Sequence, residues 1–129
     1  MLILKRELIN IGLGEKKETV KLYEVNENNP GMNRIITDDR NFPFSKININ
    51  TLDFILEDLK ISKVDFIKID TEQYELQVVT GGIKTIKKHR PTIFFENKRG
   101  EANQVILLLL DLGFTVRKWK SDTIAYYTD

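Results

Sequence analysis

Two periods in the placement of apolar residues assign most of the chain. "ELINIGL" (residues 7–13) is a strand-like run closed by Gly14. "TVKLYEV" (19–25) alternates apolar and polar as a half-buried strand does, and "GEKKE" between the two suits a hairpin. "NENNPGMNRI" is turn chemistry, and the polar character continues, so residues 26–50 read as loop. In "NTLDFILEDLKI", Leu52, Ile55, Leu56 and Leu59 fall on one helical face, with Asn50 and Asp53 placed like a capping box. "KVDFIKID" (63–70) reads as a mostly buried strand. A helix is expected to begin directly after it in "TEQYELQVVTGG", break at Gly81-Gly82 and resume in "IKTIKKH". "PTIFFEN" is a short apolar strand ending in Glu96. A helix over about 101–112 turns Val105, Ile106, Leu109 and Leu112 inward and stops at Gly113. "FTVRKWK" and "TIAYYTD" close the chain as two strands joined at Ser121-Asp122.

Strand and helix alternate through the second half, which points to an α/β fold with helices packed on a parallel sheet. The whole of 1–129 is expected to be one domain: an edge strand and hairpin over 1–25, a loop over 26–50 and an α/β core over 51–129. The core is expected to hold Val64, Phe66, Ile67, Ile69, Ile93, Phe94, Phe95, Val105, Ile106 and Leu109.

Charge and composition remove several function classes. Twenty Lys and Arg face 19 Asp and Glu, a net charge of +1, so no basic excess supports a nucleic-acid or anionic-membrane partner. No cysteine is present, which removes thiolate chemistry and Cys-ligated zinc and fits the cytoplasm. The start has no signal-peptide pattern, and "VILLLL" is far shorter than the roughly 20 residues that span a bilayer. The single histidine, His89 in "KTIKKHRP", reads as part of a helix end, with cations at the negative end of the dipole and Pro91 stopping the helix. No metal site is expected.

The acids at strand ends are the candidate chemistry. Ligands of open α/β sheets bind beyond the carboxyl ends of the strands, and Asp70 and Glu96 are both expected there. Glu72, expected in the first helical turn beyond Asp70, would share that rim, near the positive end of the dipole. A plainer reading has Asp70 or Thr71 capping the helix, with Glu72 and Glu96 merely solvated.

"TLDFILEDLKISKVDFIKIDTEQYELQVVTGGIKTIKKHRPTIFFE" resembles the second half of the FkbM-type methyltransferases. Their usual run is a Thr-Leu-Asp helix, Ile-Lys-Ile-Asp-x-Glu-Gly-x-Glu, Gly-Ala, then Arg-Pro and an apolar strand ending in Glu. "INIGLGEKKETVKLYEVNENNPGMN" is similar to the segment that precedes it in such enzymes. Two identities depart: the family's Gly after the first Glu is Gln73, and the Ala of Gly-Ala is Gly82.

The resemblance implies a Rossmann-like methyltransferase fold, shortened at its amino-terminal side, and methyl transfer from S-adenosylmethionine to an oxygen of a small molecule or sugar. It places Asp70, Glu72 and Glu96 as catalytic acids, and Asn29, Met32, Asn33, Gln73 and Tyr74 at the acceptor. Gly12, Leu13 and Asp70 are the positions it leaves on the cofactor side. The family's Gly-rich turn after the first strand and its ribose-binding acid have no counterpart in this sequence, and Gly12 and Gly14 open onto "EKKETV" rather than a helix. S-adenosylmethionine binding is therefore expected to be weak or to depend on a partner. In such a fold "KVDFIKI" would have lost a neighbour strand, so a homodimer, a complementing chain or residues 7–13 sliding beside it are expected to cover the edge. The alternatives are a degenerate half-domain that serves as a binding or assembly module, or a small α/β binding module for another metabolite.

Overall fold

The computed structural model describes residues 4–24, 34–35 and 43–129. They form a mixed α/β structure with two four-stranded sheets. The first sheet contains β1 (Gly12–Leu13), β2 (Glu18–Tyr23), β3 (Arg34–Ile35) and β4 (Phe44–Asn50), in the order β1-β4-β2-β3. β4 occupies the end of the stretch expected to be loop. Asn is depleted in strands, so "ININ" hides its own alternation. The pairing makes it visible: Ile49 is buried on one face, while Asn48 takes a hydrogen bond from Thr19 Oγ1 at 3.2 Å.

The expected β1–β2 hairpin does not form, because β4 lies between the two strands. β2 pairs with β4 antiparallel over six residues, from Glu18↔Ile49 to Tyr23↔Phe44, whereas β1 contributes only two parallel pairs to β4's other edge. The longer ladder satisfies more backbone groups than a hairpin onto β1 could. Residues 7–10 are not strand: the Ile11 N–H donates to the Ile9 carbonyl at 2.9 Å, a three-residue turn that ends the extended run before β1.

α1 (Leu52–Asp58) joins the sheets. Its cap is Thr51, whose hydroxyl accepts the Phe54 N–H at 3.1 Å, and not the Asn50/Asp53 pair. Asp53 reaches further. Its carboxylate accepts the N–H groups of Lys84 (3.2 Å) and Thr85 (2.8 Å), capping α3 (Ile83–His89) from another helix. Asp53→Ala leaves the buried Thr85 amide without that partner, so a loss of about 1–2 kcal/mol is expected in chemical denaturation, with Asp53→Asn retaining part of it.

The second sheet runs β5 (Phe66–Ile69), β6 (Thr92–Glu96), β8 (Asp122–Tyr126) and β7 (Thr115–Trp119). Only β5 and β6 are parallel; β8 and β7 are antiparallel, so the sheet is mixed. α2 (Glu75–Thr80), α3 and α4 (Asn103–Asp111) all contribute to one core with Ile69, Ile93, Phe95 and Ala125. Those strand residues share a face at period two, and Ile67 and Val116 pack at its margin. Phe66, Lys68, Phe94, Ile124 and Arg117 project from the other face and lie outside the core. The expected core is corrected accordingly: Phe66 is 56% exposed, and Val64 and Phe94 are only half-buried.

Gly81 and Gly82 divide α2 from α3, as expected. A Cβ on Gly81 would overlap the Gly14 carbonyl oxygen, where backbone meets backbone, and one on Gly82 would approach the Leu52 side chain to 2.8 Å. α3 ends as expected, with Lys87, Lys88 and His89 in its last turn and Arg90 in the left-handed region (φ 49°) before Pro91. Residues 7–13 do not slide beside β5. Gly12 and Leu13 are committed to β4 in the first sheet, and among the described residues β5 is paired on one side only. No helix among these residues is long and apolar enough to cross a membrane.

Candidate functional site

β5 and β6 run parallel in register, Ile69 beside Phe95, so their exits bring Asp70 and Glu96 to the same rim. Glu72 joins them by a route the periodicity does not reveal. The chain does not enter a helix after Asp70: Glu72 and Gln73 both lie in the left-handed region (φ 48° and 76°), and α2 starts at Glu75. α2 has no side-chain cap, so neither Asp70 nor Thr71 serves as one, and the Thr71 hydroxyl is buried without a hydrogen-bond partner. Glu72 precedes the helix and so is not part of its first turn.

The carboxylate oxygens of Asp70, Glu72 and Glu96 can be chosen to lie within 4.8 Å of one another. At that separation each pair of ionised groups repels by about 1–3 kcal/mol for an effective dielectric between those of water and the protein surface. Lys98 offsets part of this, its Nζ 3.0 Å from Glu96 Oε1. The hydrogen bond and charge of Glu96, with Glu72 and Glu101 further off, hold the Lys98 ammonium above its ordinary pKa. Such a cluster can take a hydroxyl-bearing ligand or a divalent cation, either of which relieves acid–acid repulsion.

Glu72 and Glu96 line a cleft of about 460 Å³ together with Gln73, Glu75, Lys98 and Arg99. A neighbouring hollow of about 250 Å³ adds Asp70 and Asp122, the latter paired with Glu96 across β6 and β8. Two residues passed over in the sequence hold this rim together. Glu75 is buried (6% exposed), and its Oε1 accepts the Gln73 N–H at 3.2 Å, tying the left-handed turn to the start of α2. Asn97 accepts the Ala102 N–H at 2.7 Å, donates to Asn103 Oδ1 at 2.9 Å, and gives its own N–H to the Ser121 carbonyl at 2.6 Å. It thereby joins the β6 exit, α4 and the β7–β8 turn. The sequence signal for Glu75 was its place as the last Glu of the acidic run, and Asn97 carried none.

Gln73 stands where the resembled pattern has glycine, and its φ shows why glycine suits that position. Gln73→Gly is expected to raise stability by up to about 1 kcal/mol by removing a left-handed non-glycine residue, as read by thermal unfolding.

Tyr74 is placed in the core, and Gly14 packs on its ring. Burial raises its hydroxyl pKa, with Glu18 and Glu15 adding to the effect. Tyr74 also lines a smaller cleft of about 220 Å³ between the sheets, with Gly12, Leu13, Asp70 and Glu72, so the positions expected on the cofactor side do converge. Asn29, Met32 and Asn33 lie outside the described residues.

Comparison with curated proteins returns no match. Methyltransferase FkbM from Methylobacillus flagellatus KT, a solved crystal structure, is similar in fold, with 20% identity and a TM-score of 0.55 over 90% of this chain and 27% of that one. This chain thus spans about a quarter of the neighbour's length. The methyltransferase FkbM domain model matches residues 3–116. The chain, with its acids gathered at the ends of two parallel strands, belongs to the FkbM methyltransferase domain family.

Proposed function

We propose that this chain handles the acceptor in methyl transfer to a hydroxyl oxygen of a small molecule or sugar. The observation that carries the reading is the convergence of Asp70, Glu72 and Glu96 at the mouth of the clefts. Clustered carboxylates accept hydrogen bonds and have none to donate, so a ligand with several hydroxyl groups complements them. Glu72 would take the proton of the reacting hydroxyl, while Glu96, braced by Lys98, and Asp70 would fix neighbouring oxygens. A positioned base contributes roughly 10²–10⁴-fold. Under this reading the two sheets are parts of a Rossmann-like fold.

Family membership implies S-adenosylmethionine as methyl source in general. The described residues of this chain do not fit that cofactor by themselves. The cleft between Gly12 and Tyr74 has a volume of about 220 Å³, below the roughly 300–1,000 Å³ of small-molecule sites. Gly14 leads into a bend and β2, so the turn after β1 does not open onto a helix whose amides could cradle the cofactor. The purified chain is accordingly expected to bind S-adenosylmethionine only in about the millimolar range by calorimetry.

The same misfit favours a second reading, a binding or assembly module without catalysis. Incubation with methyl-labelled S-adenosylmethionine at several millimolar, enough to load a site of that affinity, and a panel of sugars, amino and thio sugars and polyols separates the two. Label in an ether methyl supports acceptor chemistry. Binding of a polyol at the acids with no transfer supports the module, and label on nitrogen or sulfur overturns the oxygen reading.

A further inference from the structure

The acids occupy only part of the cleft of about 460 Å³. Its lining also brings two cations, Arg99 from the short 3₁₀ turn after β6 and Lys120 from the turn between β7 and β8. Neither has an ion-pair partner among the described residues, whereas Lys98 is taken by Glu96. Both stand beyond the acids in the direction in which β6 leaves the sheet. Glu96 is level with Asp122, and the next contact outward is the Asn97 N–H on the Ser121 carbonyl at 2.6 Å, after which Arg99 and Lys120 follow on either side. That bond ties the two turns together, and the Glu101 N–H donates to the Lys98 carbonyl at 3.0 Å across Arg99. Arg99 and Lys120 lie in the left-handed region (φ 52° and 54°), as do Glu72 and Gln73, so four of the six non-glycine residues with positive φ among the described residues line this one cleft. Backbone strain gathers at ligand sites, where the surrounding structure holds it in place.

We propose that the acceptor is a polyol that carries an oxyanion, a carboxylate or a phosphate group, with its hydroxyl groups at Glu72 and Glu96 and its oxyanion taken by Arg99 and Lys120. This rests on the acceptor reading above and narrows it to acidic sugars and sugar phosphates. Arg99 offers a planar fork of donors that fits either oxyanion, and Lys120 adds a point charge. The lining acids Glu72, Glu75, Glu96 and Glu101 repel an anion placed among them, so the ligand that fits has its charge at one end and its hydroxyl groups at the other. A compact polyanion meets the acids, and a neutral sugar leaves both cations unused. The cleft volume lies within the roughly 300–1,000 Å³ of small-molecule sites.

Binding to the full chain, followed by nuclear magnetic resonance with no methyl donor present, tests this. Glucose, galactose and mannose are each compared with the matching uronic acid and phosphate ester at low salt. In at least one series an acidic member should bind at least roughly tenfold tighter than the neutral sugar, and salt at about 0.5 M should erase the difference. The member that gains more, uronic acid or phosphate ester, names the oxyanion. Arg99→Gln and Lys120→Gln should each bring the acidic ligands toward the neutral level, with the melting temperature unchanged because both side chains are exposed. Glu72→Gln tells the two readings apart. Neutral and acidic sugars that bind alike, yet are weakened by Glu72→Gln, overturn the oxyanion assignment and leave the acceptor site standing. If no sugar binds, or Glu72→Gln weakens none, the acceptor reading falls and this assignment with it. A preference that survives both cation substitutions, or inorganic phosphate bound as tightly as the phosphate esters, also overturns it.

Discussion

Phe95→Ala is expected to destabilise the protein by about 3–5 kcal/mol, whereas the same change at Phe94, one residue earlier, should cost clearly less. Phe95 is fully buried on the face of the second sheet that meets α2, α3 and α4, and deleting its ring leaves a cavity among Ile69, Val105 and Leu109 that a packed interior cannot fill. Phe94 projects from the opposite face and is only half-buried. A domain of this size has only about 5–15 kcal/mol of stability to lose, so the Phe95 variant should approach global unfolding near body temperature. Urea denaturation of the two variants side by side checks this. Equal losses would mean that a layer of structure covers both faces of the sheet.

That contrast shows where the sequence was legible and where it was not. The order of strands and helices from Leu52 onward follows from periodicity, because each element there has an apolar face long enough to count. The face a strand turns inward follows only when the layers are known. "VDFIKI" and "TIFF" are apolar almost throughout, which reads as burial on two sides, and the structure buries one. The first sheet was harder. β4 carries Asn at alternate positions, and β1 is two residues long, so neither announced its partner, and a hairpin looked better than the non-sequential order that forms.

The site was legible in part for a related reason. Asp70 and Glu96 sit at the ends of apolar runs, and parallel pairing in register brings strand ends together without help from any side chain. Glu72 could be placed near them from its spacing, but its conformation could not. The residues of this run gave no sign that two consecutive positions would take positive φ, only the glycine of the resembled pattern at Gln73 pointing to one of them, and the helix begins later than its periodicity suggests. The buried Glu75 that ties down this turn looked like one more solvated acid, since burial of a carboxylate follows from tertiary packing and not from its neighbours in sequence. Asp53 repeats the lesson. Its local spacing suggested a cap for its own helix, while its oxygens cap α3, some 30 residues on.

Removing one charge from the acidic cluster should move stability and chemistry in opposite directions. Asp70→Asn and Glu72→Gln each keep size and hydrogen-bonding reach while relieving repulsion from two carboxylates within 4.8 Å, so a gain of about 0.5–1 kcal/mol is expected, a few degrees in the melting temperature. Glu96→Gln is a poorer probe, because it also breaks the contact with Lys98. Sites that work on a ligand hold charges together against their own repulsion, and the ligand supplies what relieves it. On the proposed acceptor reading, and with the donor site completed, methyl transfer to an oxygen acceptor should fall at least tenfold in each variant, a loss of more than about 1.4 kcal/mol of transition-state stabilisation, and more for Glu72 if it takes the proton. Caps would behave otherwise. Had these acids been holding backbone amides, neutralising them would lower stability by about 0.5–2 kcal/mol and leave ligand binding unchanged. Melting curves therefore discriminate before any acceptor is known: destabilisation of both variants would show that the acids are structural and that the oxygen-acceptor reading has lost its main support.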